Sequence, residues 1–113
     1  MKAELDRNVA IALLIDFYGA FLTEKQRSFM DLHFEQDLSL AEIAEQEGIS
    51  RQGVHDALKR GEKALYEIEA KMGILRRYLR WKEYLEKARE ELDAGHDAAK
   101  ELIDQALACW EEE

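Results

Sequence analysis

Apolar residues recur at helical spacing along nearly the whole chain. Leu5, Val9, Ala12, Leu13, Phe17 and Ala20 fall three or four apart, which predicts an amphipathic first helix over about 5–20. Thr23 followed by Gln26 has the spacing of a capping box, in which an N-cap hydroxyl and an amide three residues on satisfy each other's backbone N–H groups. The helix it opens carries Phe29, Met30, Leu32 and Phe34. Ser39 and Glu42 repeat the device ahead of Leu40, Ile43 and Ala44, and Gly48 supplies a stop. Ser50 caps another helix at once. Only residues 48–50 separate these two segments, and two short-linked helices with a glycine in the turn form the helix-turn-helix signature. Ala41 and Ala44 are small enough for close helix contact, Ile43 and Ile49 are expected to fill the wedge, and Val54 with Leu58 to anchor the second helix.

Beyond Ser50, Val54, Leu58, Leu65, Ile68, Met72, Leu75 and Leu79 keep one alternating four-and-three register, with Gly61 in an apolar place. Such a seam suits helix-on-helix packing in a bundle or across a dimer, and Gly73 offers a point at which it divides into two helices. From Tyr78 the apolar series shifts to Trp81, Leu85, Ala88 and Leu92. Gly95 marks a turn before Ala98, Ala99, Leu102, Ile103, Ala106, Leu107 and Trp110, so 74–113 predicts a C-terminal helical hairpin. With no internal repeat and no low-complexity linker, 1–113 reads as a single all-α domain, a small helical bundle whose helix-turn-helix portion is 22–72. The seam over 54–79 and the aromatic tail offer more apolar face than so small a monomer covers. A homodimer is therefore expected, with 74–113 as the candidate dimerisation element.

Composition strengthens the helical assignment, since 113 residues without a proline and with few valines and threonines leave helix as the natural state of most segments. Charge changes the functional picture. Lysine and arginine total 16 against 25 aspartates and glutamates, a net charge of -9, which disfavours unaided nonspecific binding to nucleic acid or anionic membrane. The longest unbroken apolar run, 9–15, falls far short of the ~20 residues of a spanning helix, and no membrane partner is expected. Lys2 and Arg7 alternate with Glu4 and Asp6, unlike a signal peptide, and the lone Cys109 has no internal partner; both lead to a cytoplasmic expectation.

Candidate chemistry concentrates on the second helix of the motif, whose first turns enter the major groove in proteins of this architecture. Once Val54 and Leu58 face inward, Arg51, Gln52, His55, Lys59 and Arg60 remain outward. Arginine pairs bidentately with guanine edges and glutamine with adenine, so these five are the candidate nucleic-acid-binding residues. Residues 50–63 carry a local excess of two positive charges inside an acidic chain. Asp56 shares the same outer surface, however, and Glu42, Glu45 and Glu47 load the preceding helix with charge that repels phosphates. Arg76, Arg77, Arg80 and Lys82 form a second basic cluster, with Lys82 and Glu86, and Glu83 and Lys87, spaced for surface ion pairs. Trp81, Tyr84 and Trp110 serve equally well as interface anchors or as core. Neither the histidines (His33, His55, His96) nor Cys109 has metal-ligand spacing, and His96 with Asp93 and Asp97 is a grouping that any acidic turn produces. There is no phosphate-cradling glycine loop and no activated nucleophile, so neither a cofactor nor an enzyme activity is expected.

The segments LTEKQRSF and LSLAEIAEQEGISRQGVHDALKRGEKAL resemble region 4 of bacterial sigma factors. With the leading FYGAFLTEKQ and the acidic helical tail, the whole chain resembles the YlxM family of helix-turn-helix proteins, most strongly over 17–65. The resemblance implies a region-4-like helical fold and a regulatory part in the signal recognition particle pathway, beside whose genes the family's genes lie. It departs from the family's usual alanine at Gly53 and threonine at Gly61. The expected function is a noncatalytic helix-turn-helix regulator or adaptor, meeting DNA or RNA through the motif or meeting components of the particle. The alternatives are a dimeric DNA-binding transcriptional regulator and a protein-interaction scaffold that binds no nucleic acid.

Overall fold

The structure, a computed structural model, describes residues 6–95 and 98–111. Leu5, the His96 and Asp97 grouping, and the side chain of Trp110 lie outside the described residues. Every regular element among the described residues is helical: α1 Arg7–Tyr18, a 3-10 turn Gly19–Phe21, α2 Glu24–Met30 running into a π-helical turn Asp31–Glu35, α3 Leu40–Glu47, α4 Arg51–Met72, α5 Ile74–Asp93 and α6 Ala99–Glu111. The fold is all-α, as the periodicity predicts. Gly73, at φ 67°, ends α4 and starts α5, so the register running through 54–79 is carried by two helices. The chain divides there into two compact units, one up to Met72 and one from Gly73.

In the first unit α4 packs against α1, α2 and α3. Its inner line is Val54, Leu58, Gly61 and Leu65, all buried, and it meets Ile11, Leu14, Ile15 and Tyr18 from α1, Phe29 and Met30 from α2, and Ile43 and Ala44 from α3 in one core. The buried face of α1 differs from the expected one. Val9 is 48% exposed, Ala20 is exposed, and Ala12, Leu13 and Phe17 are half-buried. The physical reason is that α1 is apolar on nearly every side, so spacing alone admits two faces. Tyr18 selects between them: its hydroxyl donates to Glu69 Oε1 of α4 at 2.6 Å, satisfying a phenol whose ring is fully buried.

Both capping boxes form. Gln26 N donates to Thr23 Oγ1 and Thr23 N to Gln26 Oε1, each at 3.1 Å. Glu42 N donates to Ser39 Oγ at 3.1 Å, and Ser39 N to Glu42 Oε1 at 2.8 Å. Between the boxes the π-helical turn widens the helix at Asp31–Glu35, and Asp37 takes a left-handed φ of 62°. His33 Nδ1 donates to the Leu38 carbonyl at 2.8 Å, which ties this irregular connection to the start of α3.

The second unit is a helical pair, α5 on α6, joined through Gly95 at φ 78°. Small side chains make its contact: Ala88, Ala99, Ala106 and Cys109 are each at most 3% exposed. The larger apolar residues of the series do not all follow. Leu92 and Leu107 are more than half exposed, and Leu85 and Leu102 are half-buried. No helix among the described residues is long and apolar enough to cross a membrane.

Candidate nucleic-acid interface

The helix-turn-helix is built from the two capped segments. Gly48 takes a left-handed conformation (φ 71°, ψ 32°) and returns its N–H to Ala44 O at 2.9 Å, with Ile49 N reaching the same carbonyl at 3.1 Å. This closes α3 and turns the chain at once. Ser50 Oγ then accepts from Gly53 N at 2.9 Å and caps α4. Ile43, at 0% exposure, and Val54 and Leu58 lock α3 and the first turns of α4 onto the core. Two expected contributors do not reach it: Ile49 is 40% exposed, because the tight turn carries it to the surface, and Ala41, one turn before Ala44, is exposed.

Arg51, Gln52, His55, Lys59 and Arg60 are all exposed on the outer side of α4. They do not stand as independent groups. Gln52 Nε2 donates to Asp56 Oδ1 at 2.9 Å, one helical turn on, and His55 Nδ1 lies 3.4 Å from the same oxygen. The hydrogen bond from Gln52, then that from His55, and the positive fields of His55 and Arg60 hold the Asp56 carboxyl below the usual carboxylate range. Asp56 thus remains an anion in the middle of the candidate face. The other nearby acid is elsewhere engaged: Glu62, whose side chain is 12% exposed, pairs with Arg7 of α1. Lys63 meets Glu67 at 4.0 Å along α4. On α3, Glu42 is held in its capping box, and Glu47 accepts from Gln46 Nε2 at 3.3 Å.

The structure adds a residue that sequence spacing does not point to. A cleft of about 230 Å³ between α2 and α4 is lined by Thr23, Lys25, Gln26, Phe29, Ala57 and Arg60, which sets Lys25 beside the candidate face with no carboxylate in the lining. The two residues are far apart in sequence, and only the packing of α2 on α4 brings them together. Gly53 and Gly61 also separate. A Cβ at Gly53 would meet Ser50 Oγ at 3.2 Å, whereas one at Gly61 would lie 2.8 Å from Met30 Sδ in the core. The second basic cluster, Arg76, Arg77, Arg80 and Lys82, lies on α5 in the other unit, and the spaced pairs at Lys82 and Glu86, and Glu83 and Lys87, are not among the described ion pairs. No group of three potential metal ligands comes together among the described residues.

Comparison with known proteins agrees with this architecture. Residues 5–105 match the family described as "Putative helix-turn-helix protein, YlxM / p13 like". A UPF0122 protein of Clostridium botulinum is 46% identical over 88 residues, covering 78% of this chain and 81% of its own. One from Geobacillus kaustophilus is 41% identical over 98 residues, covering 87% and 89%. One from Fusobacterium nucleatum is 38% identical over 103 residues, covering 91% and 94%. With its capped α3, glycine turn and outward-facing α4, and with a family match spanning nearly its whole length, the chain belongs to the UPF0122 family of YlxM/p13-like helix-turn-helix proteins.

Proposed function

We propose that this protein is a noncatalytic helix-turn-helix regulator or adaptor that contacts nucleic acid through the outer face of α4. The observation that supports this most is the joint exposure of Arg51, Gln52, His55, Lys59 and Arg60 on a helix whose inner line is fixed by Val54 and Leu58. Lys25, at the cleft beside Arg60, adds a phosphate-positioning cation to the same side. The resemblance to the YlxM family supports a part for this activity in the signal recognition particle pathway. The net charge of -9 supports a function exercised with a basic partner, such as the particle's RNA-binding protein, rather than alone on nucleic acid. The working unit on this account is a cytoplasmic homodimer.

The test is retention of the particle's protein and of its RNA on the purified full chain at low salt. Retention of either, weakened by the paired substitution Arg51→Ala and Lys59→Ala, is the expected outcome. Retention of neither contradicts the adaptor function. A second reading, a dimeric DNA-binding transcriptional regulator, is favoured by the base-reading chemistry of Arg51 and Gln52. It requires a discrete operator to emerge from random duplexes selected on the protein, and it fails if none does. Partner binding that is indifferent to the paired substitution would leave the motif as a protein-interaction scaffold.

A further inference from the structure

We propose that Asp56 is a specificity-determining residue of the α4 face, one that favours base edges presenting an amino group in the major groove and weakens contact with phosphates and acceptor-rich base edges. The inference rests on the nucleic-acid reading above and adds to it which edges the face takes. Asp56 stands among the cations of α4, with Arg51 before it and Lys59 and Arg60 after it, and its side chain is 50% exposed. Its Oδ1 atom receives Gln52 Nε2 at 2.9 Å and lies 3.4 Å from His55 Nδ1; Oδ2 takes part in neither contact. A carboxylate has no donor, so Oδ2 offers only acceptor sites. The same contact orients Gln52. With Nε2 turned onto Asp56, the opposite pole of the carboxamide is Oε1, a second acceptor.

Two acceptors among flanking cations make a defined chemical pattern. In the major groove, adenine N6 and cytosine N4 are donors, while guanine N7 and O6 and thymine O4 are acceptors. An amino edge opposite either acceptor satisfies it with its one free hydrogen, and an acceptor edge placed there leaves like poles facing each other. Phosphate is repelled by the same charge. Arg51, Lys59 and Arg60 attract the nucleic-acid backbone, and Asp56 reduces that attraction wherever no amino group is in place to compensate. The result is weak binding to arbitrary sequence and a preference among bases, both set by one exposed carboxylate.

The substitution Asp56→Asn tests this cleanly, since it removes the charge, keeps an acceptor for Gln52 and touches no core residue. Wild type and variant, each as the full chain, are used to select sites from random DNA duplexes, and are then titrated against the selected and scrambled duplexes. The expected result is that the wild type selects a site with a position at which adenine or cytosine replaces guanine or thymine on one strand, and that the variant loses the preference at that position. The variant binds scrambled duplex about tenfold more tightly at low salt, and its preference for the selected duplex shrinks. Binding by the variant where the wild type binds nothing also supports Asp56 as the excluding group. If Asp56→Asn changes neither affinity nor preference while Arg51→Ala weakens both, the role of Asp56 is overturned and the nucleic-acid reading stands. If neither protein binds any duplex and neither retains the particle's RNA, the nucleic-acid reading falls, and the assignment of Asp56 with it.

Discussion

Gly53 and Gly61 occupy the same helix in opposite surroundings. Gly61 is buried, and a Cβ there meets the thioether of Met30, which is itself fully buried and has no solvent into which to swing. Gly61→Ala is therefore expected to destabilise the first unit by about 1 to 3 kcal/mol as overpacking. Gly53 is half-buried near the start of α4 and its nearest obstacle is the Ser50 hydroxyl, so Gly53→Ala is expected to stabilise by about 0.5 to 1 kcal/mol through helix propensity. Denaturant unfolding of the two variants side by side checks both signs. Spacing marks Gly61 as a residue in an apolar place but cannot show that a methionine fills the space a side chain would take. Asp56 is similar. Its presence on the outer face is legible from the sequence, while its engagement of Gln52 and His55 depends on rotamers. The Asp56 carboxyl should titrate below the usual aspartate range, followed by NMR, and Gln52→Ala should move it back upward. The sign for stability follows from a depressed folded value: the contribution is present above the unfolded pKa and is lost as pH falls through the folded one. An unshifted carboxyl in the wild type would contradict the hydrogen-bonded arrangement.

Individual elements vary in how much of them can be read from the chain. Residues 39–48 are nearly self-specifying, because Ser39, Glu42 and Gly48 encode the start and stop of α3 in local chemistry that does not depend on tertiary context. The same holds for Thr23 and Gln26 at the head of α2. Ser39→Ala and Thr23→Ala should each cost about 1 kcal/mol, measured as a lowered unfolding midpoint with an unchanged slope. Loss of helical signal without a stability change would count against the boxes as stabilising devices. The first helix marks the opposite case. Its run of apolar residues offers two faces, and the bond from Tyr18 to Glu69, a partner 51 residues away, is a long-range contact that no periodicity contains. Tyr18→Phe is expected to cost about 1 kcal/mol by leaving Glu69 without that donor. The π-helical turn and the left-handed Asp37 likewise leave no signature of their own, since both arise from fitting the connection between α2 and α3 onto the core.

For the whole molecule, the balance of charge and the division at Gly73 set the terms of function. The chain carries -9 overall, yet the outer face of the helix-turn-helix presents Arg51, Lys59 and Arg60, with Lys25 brought alongside by packing. The helix-turn-helix segments and the five outward residues were legible because their determinants are local caps and a four-residue spacing. Lys25 was not, because its relation to Arg60 exists only in three dimensions. The central claim is that this cationic edge contacts nucleic-acid backbone despite the acidic excess around it. The measurement that tests it most directly is the salt dependence of nucleic-acid binding by the full chain, compared with the variants Arg51→Ala, Lys59→Ala and Lys25→Ala. Affinity should fall steeply with salt, and each substitution should reduce the logarithmic slope by about one. Binding that is undetectable at low salt, or a slope that all three substitutions leave unchanged, would contradict it.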